Sequence, residues 1–477
     1  MADLQALFND QRSAFLADVP ASAALRREFI DRLLSILVDN AHDLADAIDA
    51  DFGCRARNIT LSSDIMGSIV DIRHTRSQLA RWMKPRALNR LVRNIFRADL
   101  QPDPLGVVGV VAPWNFPIHL AVVPAASALA AGNRVMIKMS EKTPRTAELF
   151  ATLVAANFAP DVVAVVTGGP EVAHQFCSLP FDHLFFTGSP EVGKKVMALA
   201  AENLTPVTLE LGGKNPAVVA ADADVGRAAE RIMKGRLANG GQVCLCPDYA
   251  LVPKAHVAEF IDRALEAARR TFPDPIGDAN YCSLVDTASF DRVVALVEDA
   301  QERGAAVFQA VPEGGSLPDA VSRKIAPTIL TNVTEDMRID SEEVFGPLLT
   351  VYEYETAEQV IEFVNARPSP LAAYWYGSRS TDFVEFTRRT RSGGVARNDF
   401  ALHTALSSAP FGGVGRSGMG AYHGKYGFDT FSHYKPVVGS ELPFSLTSST
   451  LSTGAGTTRV MSAILRGYGA LVSRRLR

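Results

Sequence analysis

The sequence predicts an α/β protein built on parallel sheets, and three observations predict it. Short β-branched or apolar runs recur along the chain, helical stretches separate them, and 477 residues exceed what one hydrophobic core usually supports, which suggests roughly two to three domains. The runs are residues 107–111, 134–138, 162–166, 184–186, 207–209, 217–219 and 249–252, and residues 191–201 and 257–272 are clear helical spacers. They read as two successive parallel sheets.

Ahead of the first run, apolar residues recur at helical spacing over residues 22–51 (Leu33, Leu34, Ile36, Leu37, Leu44) and 64–83 (Ile65, Ile69, Ile72, Leu79, Trp82), so two amphipathic helices open the chain. Residues 120–132 are almost wholly apolar but contain Pro124 and fall short of the roughly 20 residues that span a bilayer, which predicts a buried helix. Residues 441–458, rich in Ser, Thr and Gly, read as a linker. Beyond them, residues 459–477 form a short basic tail with five arginines, disordered or packed on a partner, with weak contact to an anionic membrane surface as the alternative.

Composition excludes some classes. With 47% hydrophobic and 21% charged residues, and 52 acidic against 48 basic side chains, nothing recruits nucleic acid. Asp and Arg are scattered through residues 1–20, so secretion is not expected and a cytoplasmic setting is. Five cysteines at irregular spacing suit free thiols better than a disulfide framework.

Four stretches could carry chemistry. In "FFTGSPEVGKKV" (185–196) a strand ends, Gly188 permits a turn, Ser189 can cap the next helix, Pro190 suits its first position, and Gly193 lets helix and strand approach; the helix N-terminus would attract a phosphate. In "TLELGGK" (208–214) Glu210 sits in an apolar strand before a glycine pair, so it is either a desolvated base or a buried structural carboxylate. In "PWNFP" (113–117) prolines fix a loop around Asn115, whose amide could donate to an oxyanion or simply make a turn. In "GGQVCLCPDY" (240–249) Cys244 and Cys246 lack the second ligand pair of a zinc site and the C-x-x-C spacing of a redox pair, so no metal is expected. A reactive thiol remains, against an inert buried cysteine. Cys244 is better placed than Cys246, which precedes Pro247, to offer a backbone N–H to an oxyanion.

Taken together, PWNFP, "VMIKMSEKTP" (135–144), FTGSPEVGK, LELGGK, GGQVC, "EEVFGP" (342–347) and "PFGGVGRSGMG" (410–420) resemble the NAD(P)-dependent aldehyde dehydrogenase superfamily, over about residues 33–436. "CLCPDY", "FDHLFFTGS" and "GMGAYHGKYGFDTFSH" are similar to its class 3 branch, and "DFGCRARNITLSSDI" with "TFSHYKPV" looks most like the bacterial coniferyl aldehyde dehydrogenases. The resemblance implies the aldehyde dehydrogenase fold: a Rossmann-like NAD(P)-binding domain (1–92 and 104–213), an α/β catalytic domain (214–412), and a small β bridging element for oligomerisation (93–103 and 413–440), before the linker and basic tail (441–477).

It further implies that Cys244 attacks an aldehyde carbon, that Asn115 and the Cys244 N–H hold the oxyanion, and that Glu210 activates water on the thioester. For the cofactor it implies Lys138 and Glu141 at the adenosine ribose, Ser189 at the pyrophosphate, Glu343 at the nicotinamide ribose and Phe345 beside the ring, with Trp114, Gly188, Val192, Leu211 and Gly212 around them. Glu141 would repel a 2'-phosphate and Lys138 partly offset that, so NAD is expected, with NADP the alternative. The implied partners are a small aldehyde, aromatic such as coniferaldehyde or medium- to long-chain aliphatic, and a second copy in a homodimer. Met139 in "KMSE" and Cys246 depart from the family pattern. Two other classes remain: an acylating enzyme or acyl-phosphate reductase, which would not need Glu210, and a retired binding protein, which would be expected to lose Cys244, Asn115 or Glu210.

Overall fold

The computed structural model describes residues 3–18, 21–88, 98–312, 314–440, 445, 448, 451 and 454–475. Two compact units divide the chain: residues 1–83 with 103–433, and residues 84–102 with 434–477.

The first unit holds two mainly parallel sheets. One has six strands in the order Gly418–Met419, Val207–Leu211, His183–Gly188, Val107–Val111, Arg134–Lys138 and Val163–Val166, only the two-residue edge strand running antiparallel. The other has seven, Ala306–Gln309, Thr328–Thr331, Leu348–Tyr354, Pro247–Pro253, Asn215–Val219, Ala372–Tyr376 and Gly394–Arg397, again with one antiparallel edge, Ala306–Gln309. Strands covered on both faces are apolar through their centres, which is why Val107–Val111, and Val135 to Ile137 within Arg134–Lys138, read as unbroken runs rather than alternating ones. The buried helix expected near residues 120–132 is His119–Ala131, with Pro124 inside it. Its last carbonyls, Ala130 and Ala131, accept from the Arg26 guanidinium at 3.1 and 2.6 Å, satisfying a helix end that water does not reach. Gly132 leaves room for that guanidinium: its φ is 101°, and a Cβ there would lie 2.6 Å from the Arg26 side chain.

The N-terminal region differs from expectation in two ways. Residues 22–51 form two helices, Ala23–Asp39 and Ala41–Phe52, because Asn40 takes φ −117°, ψ 19° and turns its own amide back on the Ile36 carbonyl at 2.9 Å. A further helix, Leu4–Asp18, precedes them; its Phe8 is buried against Phe181, and the Gln11 amide donates to the carbonyls of Val135 and Pro160. The helix expected over residues 64–83 begins as a π-helical turn, Thr60–Met66, and becomes α-helical at Gly67–Trp82.

The second unit is built on a three-stranded sheet in the order Arg86–Ala87, Asp99–Pro104, Ser432–Val437. Most of the expected linker lies outside the described residues. The basic tail departs from the disordered reading over its described residues: 459–475 lie within a helix, Ala455–Arg475, with Val460, Met461, Ile464, Leu465, Tyr468, Leu471 and Val472 exposed in the chain alone, and 476–477 lie outside the described residues. Among the described residues no helix is long and apolar enough to cross a membrane.

Candidate active site

Cys244 is delivered by a loop whose backbone is bent three times in succession. Helix Val225–Leu237 ends, and Asn239, Gly240 and Gly241 all take left-handed φ, 51°, 64° and 79°. Gly241 is obligatory, since a Cβ would lie 2.0 Å from the Gly346 carbonyl oxygen. Side chains from distant elements then pin the loop. The Asn215 amide donates to the carbonyls of Cys244 (2.7 Å) and Cys246 (3.0 Å), and Tyr374 donates to that of Leu245 (2.7 Å). Gln242 donates to the Asn239 and Ser283 carbonyls and accepts from the Val285 N–H. Buried Arg236 donates to the carbonyls of Gly241 and Pro247. The two cysteines of the C-x-C stretch point to different places: Cys244 lines a large cavity, whereas the Cys246 thiol is in the core, 3.2 Å from the Gly235 carbonyl. All five cysteines are free.

The PWNFP loop lies against this one. The Asn115 amide donates to the Gln242 carbonyl at 3.1 Å, two residues before the cysteine, and its second N–H is left for the cavity that Asn115 lines. The Asn115 carbonyl accepts from Arg55 (2.9 Å) and from Asn239 (3.2 Å). Arg55 is sandwiched by the rings of Phe52 and Phe116 and paired with fully buried Asp64 at 2.6 Å, while Asp64 also accepts from the N–H groups of Ile118 and His119. A buried pair with its remaining valences used fixes geometry at the cost of desolvation.

Glu210 stands on strand Val207–Leu211, between Thr187 of one neighbour and Gly418 of the other. It is only 3% exposed, yet neither carboxylate oxygen has a hydrogen-bond partner. Burial therefore raises its pKa well above the usual carboxylate value. Burial also drives the Cys244 thiol far up, helped by the carboxylates of Glu343 and Glu210.

The FFTGSPEVGKKV stretch forms the expected strand-to-helix turn. Ser189 caps helix Pro190–Ala201 by accepting from the Val192 N–H at 3.3 Å, and a Cβ on Gly193 would strike Leu211 at 2.7 Å. Glu343 reaches over the glycine pair: it accepts from the Gly213 N–H, and a Cβ on Gly212 would sit 2.0 Å from its Oε2. Burial, with Asp248 nearby, pushes the Glu343 carboxyl up to about 8. Phe345 holds a left-handed φ of 46° and meets Trp114 edge to face at 5.4 Å. The 1,560 Å³ cavity is lined by Trp114, Asn115, Gly188, Ser189, Glu210, Leu211, Gly212, Cys244, Glu343 and Phe345. Lys138, Glu141 and Val192 are not among its lining residues. The Lys138 ammonium is buried and donates to the Met139 carbonyl at 2.6 Å, its pKa lowered by burial and partly restored by Glu141.

Residues 2–437 match the family model described as "Aldehyde dehydrogenase family". The chain is 43% identical over 427 residues to the coniferyl aldehyde dehydrogenase of a Pseudomonas species, covering 90% of this chain and 89% of that one. It superposes on a substrate-bound Staphylococcus aureus AldH with TM-score 0.90 and 32% identity, covering 98% and 100% of the two chains. It superposes on the Pseudomonas syringae indole-3-acetaldehyde dehydrogenase AldA, solved with NAD+ and IAA, with TM-score 0.83 and 29% identity over 92% and 89%. The chain belongs to the aldehyde dehydrogenase family. It is accordingly an oxidoreductase acting on aldehydes, and the resemblance carried by the scattered motifs extends to the fold.

In this aldehyde dehydrogenase the residues that sequence reasoning missed are those that hold the Cys244 loop and the Asn115 loop: Arg55, Asp64, Asn215, Gln242 and Tyr374. Missed too was a polar group on the cavity wall, Asp71, His119 and His423, whose potential ligand atoms lie within 4.8 Å of one another. Arg55 and Asp64 lie inside "DFGCRARNITLSSDI", Gln242 inside "GGQVC" and His423 inside "GMGAYHGKYGFDTFSH", stretches that mark the family without announcing these contacts.

Proposed function

We propose that this aldehyde dehydrogenase oxidises an aromatic or other apolar aldehyde to the carboxylic acid, with NAD as the oxidant and Cys244 as the nucleophile. The observation that carries the reading is the convergence of Cys244, Asn115 and a hydrogen-bond-free Glu210 on one cavity. The Cys244 thiol gives up its proton to solvent, and the thiolate adds to the aldehyde carbon. The oxyanion that forms accepts from the free N–H of Asn115 and the N–H of Cys244. Ser189, Glu343 and Phe345 would hold a nicotinamide dinucleotide, which would supply the hydride acceptor for oxidation of the adduct to a thioester. Glu210, made basic by burial once it is ionised, then removes a proton from water as the water attacks the thioester carbon, and the Cys244 thiolate leaves as the acid is released.

The chain's own residues suit that cofactor. The Gly212 gap filled by the Glu343 carboxylate, the capped helix start at Ser189 and the Trp114–Phe345 aromatic pair give a ribose acceptor, a phosphate site and a flat wall. The placement of Glu141 and Lys138 at the adenosine ribose belongs to the proposal, as does the preference for NAD over NADP through Glu141. So do a homodimeric state, a cytoplasmic setting, the domain boundaries and coniferaldehyde as a substrate; the similarity to the Pseudomonas coniferyl aldehyde dehydrogenase supports the last.

The test is NADH formation from coniferaldehyde without coenzyme A. We expect turnover in the wild type and a loss of at least about 10³-fold in Cys244→Ser. Turnover only with coenzyme A would assign the chain to the acylating class.

A further inference from the structure

The wall of the cavity formed around helix Gly67–Trp82, the start of helix His119–Ala131 and residues 400–423 is mostly apolar: Met66, Val70, Leu120, Phe400 and Phe411 line it. Within that apolar wall lie Asp71, His119 and His423. His423 is 2% exposed and neither ring nitrogen has a hydrogen-bond partner; its Nε2 is 4.0 Å from an Asp71 oxygen. His119 Nδ1 lies 3.1 Å from the Ser68 hydroxyl, and Asp71 accepts from Ser407. His74 also acts on Asp71 electrostatically. The His423 ring is held face-on by Phe411 at 5.3 Å and edge-on by Tyr422 at 4.5 Å, with a left-handed φ of 78° that a non-glycine residue rarely takes. Tyr422 also feels the charges of Glu210, Cys244 and Asp71, so it stands between the reacting groups and the polar group.

A buried imidazole with two unpartnered nitrogens beside a carboxylate, on the wall of an apolar pocket and held in a strained backbone, is incomplete by itself. Burial keeps both imidazoles neutral, at about 4, so each offers one donor and one acceptor. A hydroxyl complements that set: its proton goes to the Asp71 carboxylate or an imidazole nitrogen, and its oxygen accepts an imidazole N–H.

We infer that Asp71, His119 and His423 form a hydroxyl-recognition subsite, and that the enzyme selects aldehydes carrying a phenol or alcohol at the end remote from the aldehyde group. This rests on the proposed aldehyde oxidation and specifies its substrate class. An aldehyde without the hydroxyl buries the subsite with its polar atoms unpaired and is discriminated against, as in any site built to bond a substrate O–H.

The experiment measures kcat/KM for 4-hydroxycinnamaldehyde, 4-methoxycinnamaldehyde and cinnamaldehyde in the full-length wild type, His423→Phe and Asp71→Asn. In the wild type we expect the hydroxylated compound to be preferred over the other two by about tenfold to a hundredfold, carried mainly by KM. Both variants should bring the ratio close to one, whatever their absolute rates. A wild-type ratio near one overturns the inference without any variant having to fold, and so does a ratio preserved in both variants. Loss of the preference on treatment with EDTA and its return with zinc would also overturn it, by giving the three side chains to a metal. If the wild type oxidises none of the three aldehydes, the proposed activity has failed; if it oxidises all three equally well, only the subsite has.

Discussion

The cysteine loop and the strand that carries Glu210 face the same cavity but are built in opposite ways. Around Cys244 the surrounding side chains are committed: Asn215, Tyr374, Gln242 and Arg236 each bond loop carbonyls, and Gln242 also accepts from the Val285 N–H. Around Glu210 nothing is committed, and both oxygens are buried without a partner. On the proposed mechanism, with Cys244 as nucleophile and Glu210 as base, the difference separates two requirements of one reaction. A nucleophile must be held still, which hydrogen bonds from rigid strands achieve; a base must keep its lone pairs and a raised pKa, which burial without partners achieves.

That contrast can be broken on the cofactor side. Glu343 shares features of both regions, being raised by burial yet held by the Gly213 N–H over Gly212. Gly212→Ala, whose methyl occupies the place of the Glu343 carboxylate, is expected to raise KM for NAD about tenfold with a smaller change in kcat, measured by steady-state kinetics at saturating aldehyde. An unchanged KM would separate Glu343 from the cofactor.

A smaller effect comes from pH. A carboxyl at about 8 in the folded chain against 4.5 in the unfolded one binds more protons when folded, so its contribution to stability falls as pH rises from about 4.5 through about 8. Thermal unfolding of cofactor-free Glu343→Gln should therefore gain on the wild type between pH 5 and pH 8, values chosen to bracket that window. A constant difference across it would contradict the raised pKa. The smallest effect is expected at Cys246, whose sulfur faces the Gly235 carbonyl in the core rather than the cavity. Cys246→Ala should leave the rate of inactivation by peroxide within about twofold of the wild type.

How much of this was legible in the sequence follows from how local each cause is. Strands such as Val107–Val111 and Arg134–Lys138 announce themselves because burial on both faces demands an apolar run. The Ser189 cap and the close approach at Gly193 are written in adjacent residues. The break at Asn40 was hidden because neither proline nor glycine marks it, and helix Leu4–Asp18 because its charges, Asp10, Arg12 and Asp18 among them, dilute the periodic pattern. Cys244, Asn115 and Glu210 were picked out as a set, through motifs spread over more than a hundred residues, and all three line one cavity. Arg55 with Asn115, Asn215 with Cys244 and Gln242 with Val285 were not found, since each pairing spans 29 to 60 residues and joins ordinary residue types. The lone cysteine pair C-x-C was a poor guide: the two thiols point to different environments, and the site is defined by what surrounds the first.

The division between a fixed nucleophile and a free base is tested most directly in Glu210→Gln by following NADH from the first turnover onward. The account predicts a burst close to one NADH per active site, because Cys244 still forms the thioester, and then a steady rate about 10²- to 10⁴-fold below the wild type as hydrolysis stalls. A wild-type steady-state rate in that variant would contradict it.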